Sequence, residues 1–529
     1  MSNWLVDKLI PSIMRSEVTK SSVPEGLWHK CPSCDAVLYK PELEKNLDVC
    51  PKCDHHMRIN ARTRLDMFLD PEAREELGVD LEPVDRLKFR DSKKYKDRLT
   101  AAQREALCAA IVHKGLEPGL EVYAGHATHN WHTGVNNWNQ VCNGGLGIGA
   151  LAIADVEPDV AGRVLHEALG SLPLAMGNYA PDGAGTEGVT YWEYGSRYNI
   201  LFLSALETAL GTDYGLTRLP GFAESGAYQM YMSGAGRMSM DFADCGLRRM
   251  SSPQHFWLGR RYGMPQYSWY RYSELARKDA TGHPLDLLWF DDSAKTFDLA
   301  TLPLDKHFRQ AETASLRSSW EEDALVVGVQ AGLDSYHGHR HQDVGSLIVD
   351  ALGERWIADP GRESEVYQAH RHHKERWEFY RIRAEGHNTL VLNPATPGPD
   401  QVIGSFSPIT RFESRPDLAA AVVDLSAAYA PHARRVERTV EMVERAYLTV
   451  TDVVEAEVPV DLWWFAHTYA EAHVAADGRS ATLRQNGKAM RVAIEEGPAE
   501  ATFSVMAAEP LPTSPNPPEQ SLDPALRKL

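Results

Sequence analysis

The sequence predicts a multidomain α+β chain in three parts: a small cysteine-held module, a helical middle and a C-terminal antiparallel β-sandwich. Three observations carry this. Cys31, Cys34, Cys50 and Cys53 stand in two C-x-x-C pairs near the start, apolar residues then recur at helical spacing, and past about residue 310 the period drops toward two. At 529 residues the chain exceeds one ordinary domain.

Composition narrows the class of partner. A formal net charge of -18 argues against broad electrostatic binding to nucleic acid or anionic lipid. An acidic protein that handles an acidic ligand then needs local positive charge or a metal at its site. The opening stretch MSNWLVDKLIPSIMRSEV lacks a secretory pattern, and no later run approaches the roughly 20 apolar residues that span a bilayer. The chain as written is therefore expected in the cytoplasm, with neither membrane nor nucleic acid as partner. Beyond the paired cysteines, Cys108, Cys142 and Cys245 are scattered, which suits a reducing compartment better than a disulfide framework.

CPSC and CPKC leave fifteen residues between the pairs. Two-residue spacing lets each pair present two thiolates to one tetrahedral ion, and the interval suits a small β-hairpin, so the segment reads as a four-cysteine zinc ribbon. Four thiolates close the coordination shell, so this Zn2+ holds a fold and does not catalyse. His55 and His56 are then surface residues. The stretch VPEGLWHKCPSCDAVLYKPELEKNLDVCPKCDHHMRINARTRLDMFLD, followed by LKFRDSKKYKDRL, resembles the start of the bacterial acetyl-CoA carboxylase carboxyltransferase β subunit over residues 1–103. That family's crotonase-like core, with its Gly-Gly oxyanion loop, has no counterpart in the sequence of residues 104–529.

Between residues 104 and 300, NGGLGIGALAIADVEPDVAGRVLHEALGSL puts Leu165, Leu169 and Leu172 on one helix face, and NILFLSALETAL reads as another helix. The Gly-rich NYAPDGAGTEGVTYWEYG between them is expected as a loop at one end of a helical array. SLIVDALGERWIAD reads as a hairpin turning at Leu352-Gly353, and ATLRQNGKAMRVAI as one turning at Asn486-Gly487. With NTLVLN, AAAVVDLS, ERTVEMVERAYLTVTDVV and LWWFAHTY, these short strands predict a sandwich over 301–508. Residues 509–529 are Pro-rich and expected to form a disordered tail.

The strongest chemical constellation is GHRHQDVGSLIVDALGERWIADPG followed by GHNTLVLN. His339, His341, Asp359 and His387 fall at separated strand ends. Two His and one Asp suit Zn2+, and the hairpin between His341 and Asp359 brings them together. In the helical part, NNWNQVCNGG places Asn137 and Asn139 beside Trp138, and DGAGTEGVTYWEYG supplies Tyr191 and Tyr194.

The H-x-H-x-D-x-G-S run, the W-x-x-D-P-G corner and the H-N-T strand resemble the heparinase II/III superfamily of polysaccharide lyases over about residues 120–505. The resemblance implies a partial (α/α) toroid before the β-sandwich, an acidic polysaccharide as substrate, and the periplasm as the usual setting of such a body. It implies a catalytic His339, a zinc on His341, Asp359 and His387, and Tyr367 near the substrate. It also implies an Asn facing a Tyr across the cleft, for which Asn137 and Tyr191 are chosen and Asn139 and Tyr194 are the alternatives. Trp138, Asn139 and Tyr194 are expected to touch substrate. The plainer readings are aromatic packing for the two Tyr and helix capping for the Asn. His126, His129 and His132 lack a neighbouring carboxylate or cysteine and are expected to line the cleft, while HRHHK at 370–374 reads as a solvated face.

The implied reaction is β-elimination on a uronic-acid glycan, alginate- or heparin-like. Asn137 would bond the substrate carboxylate and favour an enolate-like transition state. Tyrosine is a poor base unless donors or cations lower its pKa from ~10, which leaves His339 as the alternative base. Only about 200 residues precede the β part, short for such a toroid. An inactive fusion or glycan-binding module is therefore the competing reading, and a carboxyltransferase fragment the third.

Overall fold

The computed structural model describes residues 28–59, 61–68, 95–333, 339–367, 375–396, 398 and 400–529. The opening stretch read for a secretory pattern, most of LKFRDSKKYKDRL and the HRHHK run lie outside the described residues. The chain divides into two compact units, Met1–Val112 and His113–Leu529, a little beyond the change of character near residue 104.

In the first unit, β1 (Trp28–Lys30) pairs antiparallel with β2 (Val37–Tyr39), and α1 (Lys40–Lys45) follows with Pro41 in its first turn. The hairpin encloses the first cysteine pair. The expected hairpin between the pairs is replaced by β2 and α1, because the CPSC turn itself reverses the chain. Among the described residues, Leu38, Leu43, Cys31 and Cys50 form the buried apolar cluster here, with Ala36 and Met57 packed against it. So small a core leaves the module dependent on its metal. Two further helices are described, α2 (Ala61–Phe68) and α3 (Tyr95–Ile111).

The second unit opens with helices: α4 (Glu117–Tyr123), α5 (Asn137–Ile153), α6 (Pro158–Met176), α7 (Val189–Leu210), α8 (Gly226–Tyr231), α9 (Gln254–Tyr262), α10 (Pro265–Leu275) and α11 (Pro284–Trp289). Leu165 and Leu172 are buried on α6 as the spacing predicts, while Leu169 is only half-buried. The glycines of NGGLGIG let α5 approach α7 closely. A Cβ on Gly147 would lie 2.2 Å from the Phe202 ring, and one on Gly144 2.7 Å from the Tyr198 carbonyl oxygen. Helix α7 starts at Val189, so Tyr191 and Tyr194 stand on its first turns and not on the expected loop.

The β part begins at β3 (Lys306–Phe308) and continues through β4 (Thr313–Arg317), β5 (Val326–Gln330), β6 (Leu347–Ala351) and β7 (Glu354–Ile357), which form one five-stranded antiparallel sheet. A second sheet runs β8 (Ile409–Ser414), β9 (Leu418–Asp424), β10 (Arg435–Val443) and β11 (Tyr447–Glu455). Strand β10 alternates buried and part-exposed residues along its length, the period-two pattern of a half-buried strand. Both sheets contribute to one core, with Leu316, Val327, Val349 and Trp356 meeting Ala421, Val436, Val440 and Met442. The two expected turns form: Leu352-Gly353 and Asn486-Gly487 both carry left-handed φ values, and each pair closes a two-residue hairpin.

The terminal Pro-rich stretch is packed, contrary to the expected disorder. Its Arg527–Lys528 strand pairs with His467–Thr468, Leu526 and Leu529 are buried, and the Lys528 ammonium lies 4.6 Å from the Phe465 ring centre while donating to the Glu509 carbonyl at 2.9 Å. Proline content set the expectation, but three side chains anchored in the body outweigh it. Burial pulls Lys528 down to about 8, against the raising effect of Glu385, Asp400 and Glu509. The folded state thus sheds this proton more readily than the unfolded chain, and stability should rise as pH climbs from about 8 toward the ordinary lysine value. In chemical melts, wild type should gain up to about 2–3 kcal/mol over that window relative to Lys528→Met. A parallel pH dependence in the variant would refute this.

Candidate active site

Four segments of the second unit converge. Asn137 opens α5. The Gly-rich loop ends at Gly188 with φ 99°, and a Cβ there would strike Cys245 Sγ at 2.4 Å, so only glycine lets the loop turn and bury Glu187 beside α5. Tyr191 stands on the first turn of α7. The loop Asp241–Gly246 brings Asp244, and the β part brings His339, His341 and the short helical turn Glu365–Tyr367.

Asn137 donates from its backbone N–H and its Nδ2 to the two oxygens of Glu187, each at 2.6 Å. Glu187 Oε2 is 3.3 Å from His339 Nε2. On its other side His339 Nδ1 lies 3.2 Å from Asp244 Oδ2 and 3.0 Å from the Tyr367 hydroxyl. The Tyr191 ring stacks on His339 with centroids 4.1 Å apart, and its hydroxyl is 3.2 Å from that of Tyr367. Tyr367 donates to Asp244, whose other oxygen is 2.9 Å from His341 Nε2. Two buried carboxylates thus bracket one imidazole, with two phenols against it.

The electrostatics follow from burial. Burial works to raise Asp244, but hydrogen bonds from His339 and His341 and the nearby Arg376 outweigh it and hold the carboxyl well below the usual range. Burial raises Glu187, with His339 and Asn137 opposing. Tyr191 is likewise pushed up by burial, the Tyr367 hydrogen bond working against the shift and the Asp244 charge with it. Tyr367 is raised further, by burial and then by Asp244. The condition under which Tyr191 would be a resting base, a lowered pKa, is not met.

The structure brings Asn137, Tyr191, His339 and Tyr367 together. Asn139 it places elsewhere: fully buried, donating to Ser171 Oγ at 3.0 Å in the α5–α6 interface. Trp138 points outward, 57% exposed, and Tyr194 packs edge-on against Tyr198. His126 is exposed and 3.0 Å from Glu121, and the His132 ring lies edge-on to Tyr123. A small cavity beside Asn137 and Tyr191 is lined also by Asn136, Gln140, Asn178 and Glu187. Glu187 and Asp244 are the carboxylates of this cluster that sequence reasoning missed. Their signal was slight, an acid between glycines in TEGV and one in the non-periodic DFADCG.

Beneath His339, His341 and His387 are fully buried with ring centres 5.2 Å apart. His341 Nδ1, His387 Nε2 and Asp343 Oδ1 are buried without a hydrogen-bond partner, but among the described residues only the four cysteines bring three or more metal-ligating atoms within 4.8 Å of one another. Asp359 is engaged differently from the expected ligand role: its oxygens take His387 Nδ1 at 2.8 Å and the Gly361 N–H at 2.8 Å. Burial works to lower both imidazoles. Asp359 outweighs it at His387, which is raised, whereas His341 is lowered despite Asp244.

In the first unit, Cys31 and Cys53 sulfurs are 3.7 Å apart and those of Cys34 and Cys50 3.8 Å. A tetrahedral ion with ~2.3 Å zinc–sulfur bonds spaces its ligands by about this distance.

Residues 28–53 match the family described as acetyl-CoA carboxylase zinc finger domain, and residues 301–516 the family described as heparinase II/III-like, C-terminal. Among solved structures, a heparinase III gene product aligns at 13% identity over 78% of this chain and 58% of its own, with a TM-score of 0.53. A mutant of the heparan sulfate lyase HepC from Pedobacter heparinus aligns at 15% identity over 70% and 53%, with a TM-score of 0.50. Another heparinase III aligns at 14% identity over 66% and 52%, also at 0.50. The chain therefore spans between about half and three-fifths of these proteins' lengths, and at such identities the likeness establishes the fold.

Proposed function

We propose that the second unit, with its heparinase II/III-like C-terminal domain, is a polysaccharide lyase that cleaves a uronic-acid glycan by β-elimination. The observation that carries this reading is the cluster of Asn137, Tyr191, His339 and Tyr367 around Glu187 and Asp244. Abstracting the proton at carbon 5 requires stabilising negative charge on the neighbouring carboxylate. Asn137 spends one Nδ2 hydrogen on Glu187 and retains the other for that carboxylate. Burial raises Glu187, which lessens the charge it opposes to an incoming anion. Tyr191 arrives as a phenol, suited to protonate the leaving oxygen at carbon 4, and abstraction falls to His339, the side-chain type best matched to neutral pH. The C5–H bond breaks toward His339, a C4–C5 double bond forms, and the C4–O bond breaks as Tyr191 delivers its proton.

This reading includes a second zinc at His341 and His387, each of which has a buried ring nitrogen without a hydrogen-bond partner, with Asp359 orienting His387 through its other ring nitrogen. When bound it would supply a fixed charge beneath His339, organising the cleft floor. In the first unit one zinc on the four cysteines holds the ribbon.

Incubation with alginate, heparan-type and other uronate glycans should raise ultraviolet absorbance from the unsaturated product. His339→Ala and Tyr191→Phe should each lower the rate roughly 10²–10⁴-fold. Folded wild type silent on every glycan would refute the lyase reading. A glycan-binding protein, the second reading, would bind such a glycan with no absorbance change.

A further inference from the structure

Away from the cleft, the second unit holds a small open cavity between the turn after α8 and the β4–β5 turn, lined in part by Ser233, Gly234, Arg237, Arg317 and Trp320. It shares no lining residue with the cavity beside Asn137. Its walls carry an excess of donors. Arg317 is only 5% exposed; its Nη2 donates to the carbonyl oxygens of Tyr231 and Ser233 at 3.3 and 3.0 Å, and its guanidinium lies 4.0 Å over the Trp320 ring. Arg237 donates to Ser273 Oγ at 2.9 Å and lies 4.2 Å over the Tyr270 ring. Among the described residues no carboxylate forms an ion pair with either. Arg317 Nε, Arg237 Nη1 and Trp320 Nε1 are each buried with no acceptor. Of the two carboxylates at the rim, Glu322 is taken by Arg277 and Glu321 is exposed.

We infer that this cavity binds an oxyanion, held by Arg237, Arg317 and the Trp320 indole N–H. Glu274 near Arg237 and Asp305 near Arg317 offset part of the buried charge without contacting either guanidinium head as an ion pair, and the planar fork matches the oxygens of a carboxylate or sulfate. Burial, with the Arg237 charge adding to it and Tyr231, Tyr270 and Asp305 opposing, pulls Arg317 down to about 10, and an anion between the two would relieve that. A single water accepts two hydrogen bonds and so leaves one of the three donors unmet. An acceptor-only ligand with several oxygens meets all three. The same chemistry has two sources, a free inorganic ion or the acidic group of a sugar. The inference does not depend on the lyase reading.

Isothermal titration of the full chain with sodium sulfate, sodium phosphate and sodium glucuronate, at constant ionic strength in chloride, tests it. At least one should bind saturably at one site. Arg237→Gln should weaken binding roughly tenfold or more, and Trp320→Phe, which keeps the ring over Arg317 and removes only the N–H, several-fold. His339→Ala should leave it unchanged. Glucuronate binding tighter than both inorganic ions identifies an acidic sugar as the ligand, and inorganic ions binding alone identify a free ion. The inference is overturned by no saturable binding, by equal binding in Arg237→Gln and Trp320→Phe, or by loss in His339→Ala.

Discussion

Asp244→Ala should destabilise the second unit by about 3–5 kcal/mol in denaturant melts and lower any lyase rate by roughly 10²–10⁴. The size follows from how many groups end on one carboxylate. His339 Nδ1 lies 3.2 Å and His341 Nε2 2.9 Å from it, the Tyr367 hydroxyl donates to it, and Arg376 is 3.8 Å away. Asp244 and all but the rims of its partners are buried, so removing it strands several donors in a region that water does not reach. Asp244→Asn separates the two losses. The amide keeps the volume and can still accept from one partner, so stability should fall less, by roughly 1–3 kcal/mol, while the rate falls nearly as far because the charge behind His339 is gone. The pH profile of kcat/KM should move in Asp244→Asn if the carboxylate acts through His339. A stable, fully active Asp244→Ala would show that this carboxylate is not the hub of the site.

That hub was not legible in the sequence, and the reason is physical. His339, Tyr191 and Asn137 lie in motifs whose spacing is tied to a turn or a helix start, so residue order carries information about position. Asp244 and Glu187 sit in loops without periodicity, and their meaning comes from burial and long-range contact. The Glu187–Asn137 bonds span 50 residues and the Asp244–His341 bond 97. Asn139 was misjudged for the opposite reason. Two residues along a helix is a rotation of about 200°, so once Asn137 faces the cleft, Asn139 must face away. It does, against Ser171. The strand turns were legible because Leu352-Gly353 and Asn486-Gly487 need left-handed backbone at two successive positions, a local demand that glycine advertises. The packed C-terminal stretch was not, because composition says nothing of rings such as Tyr380 and Phe465 that wait to receive Lys528.

Removing zinc from the ribbon should unfold it outright. Sulfur separations of 3.7 and 3.8 Å already match a tetrahedral zinc site, and all four sulfurs lie within 4.8 Å of one another. Structural zinc in modules of this kind contributes on the order of 10–16 kcal/mol of folding free energy, far more than two buried leucines can supply. Cys31 is fully buried at the centre, so Cys31→Ser should cost the chain one bound zinc and abolish the ribbon's protection from proteolysis around residues 28–57. The second unit builds its core from other residues, and its melt should not shift by more than about 1 kcal/mol. Zinc counting by mass spectrometry then reads the two sites separately. A chain that loses one equivalent in Cys31→Ser and a further one in His387→Ala carries zinc in both units. A Cys31→Ser chain with unchanged zinc content and an intact ribbon would show that the four thiolates hold no ion.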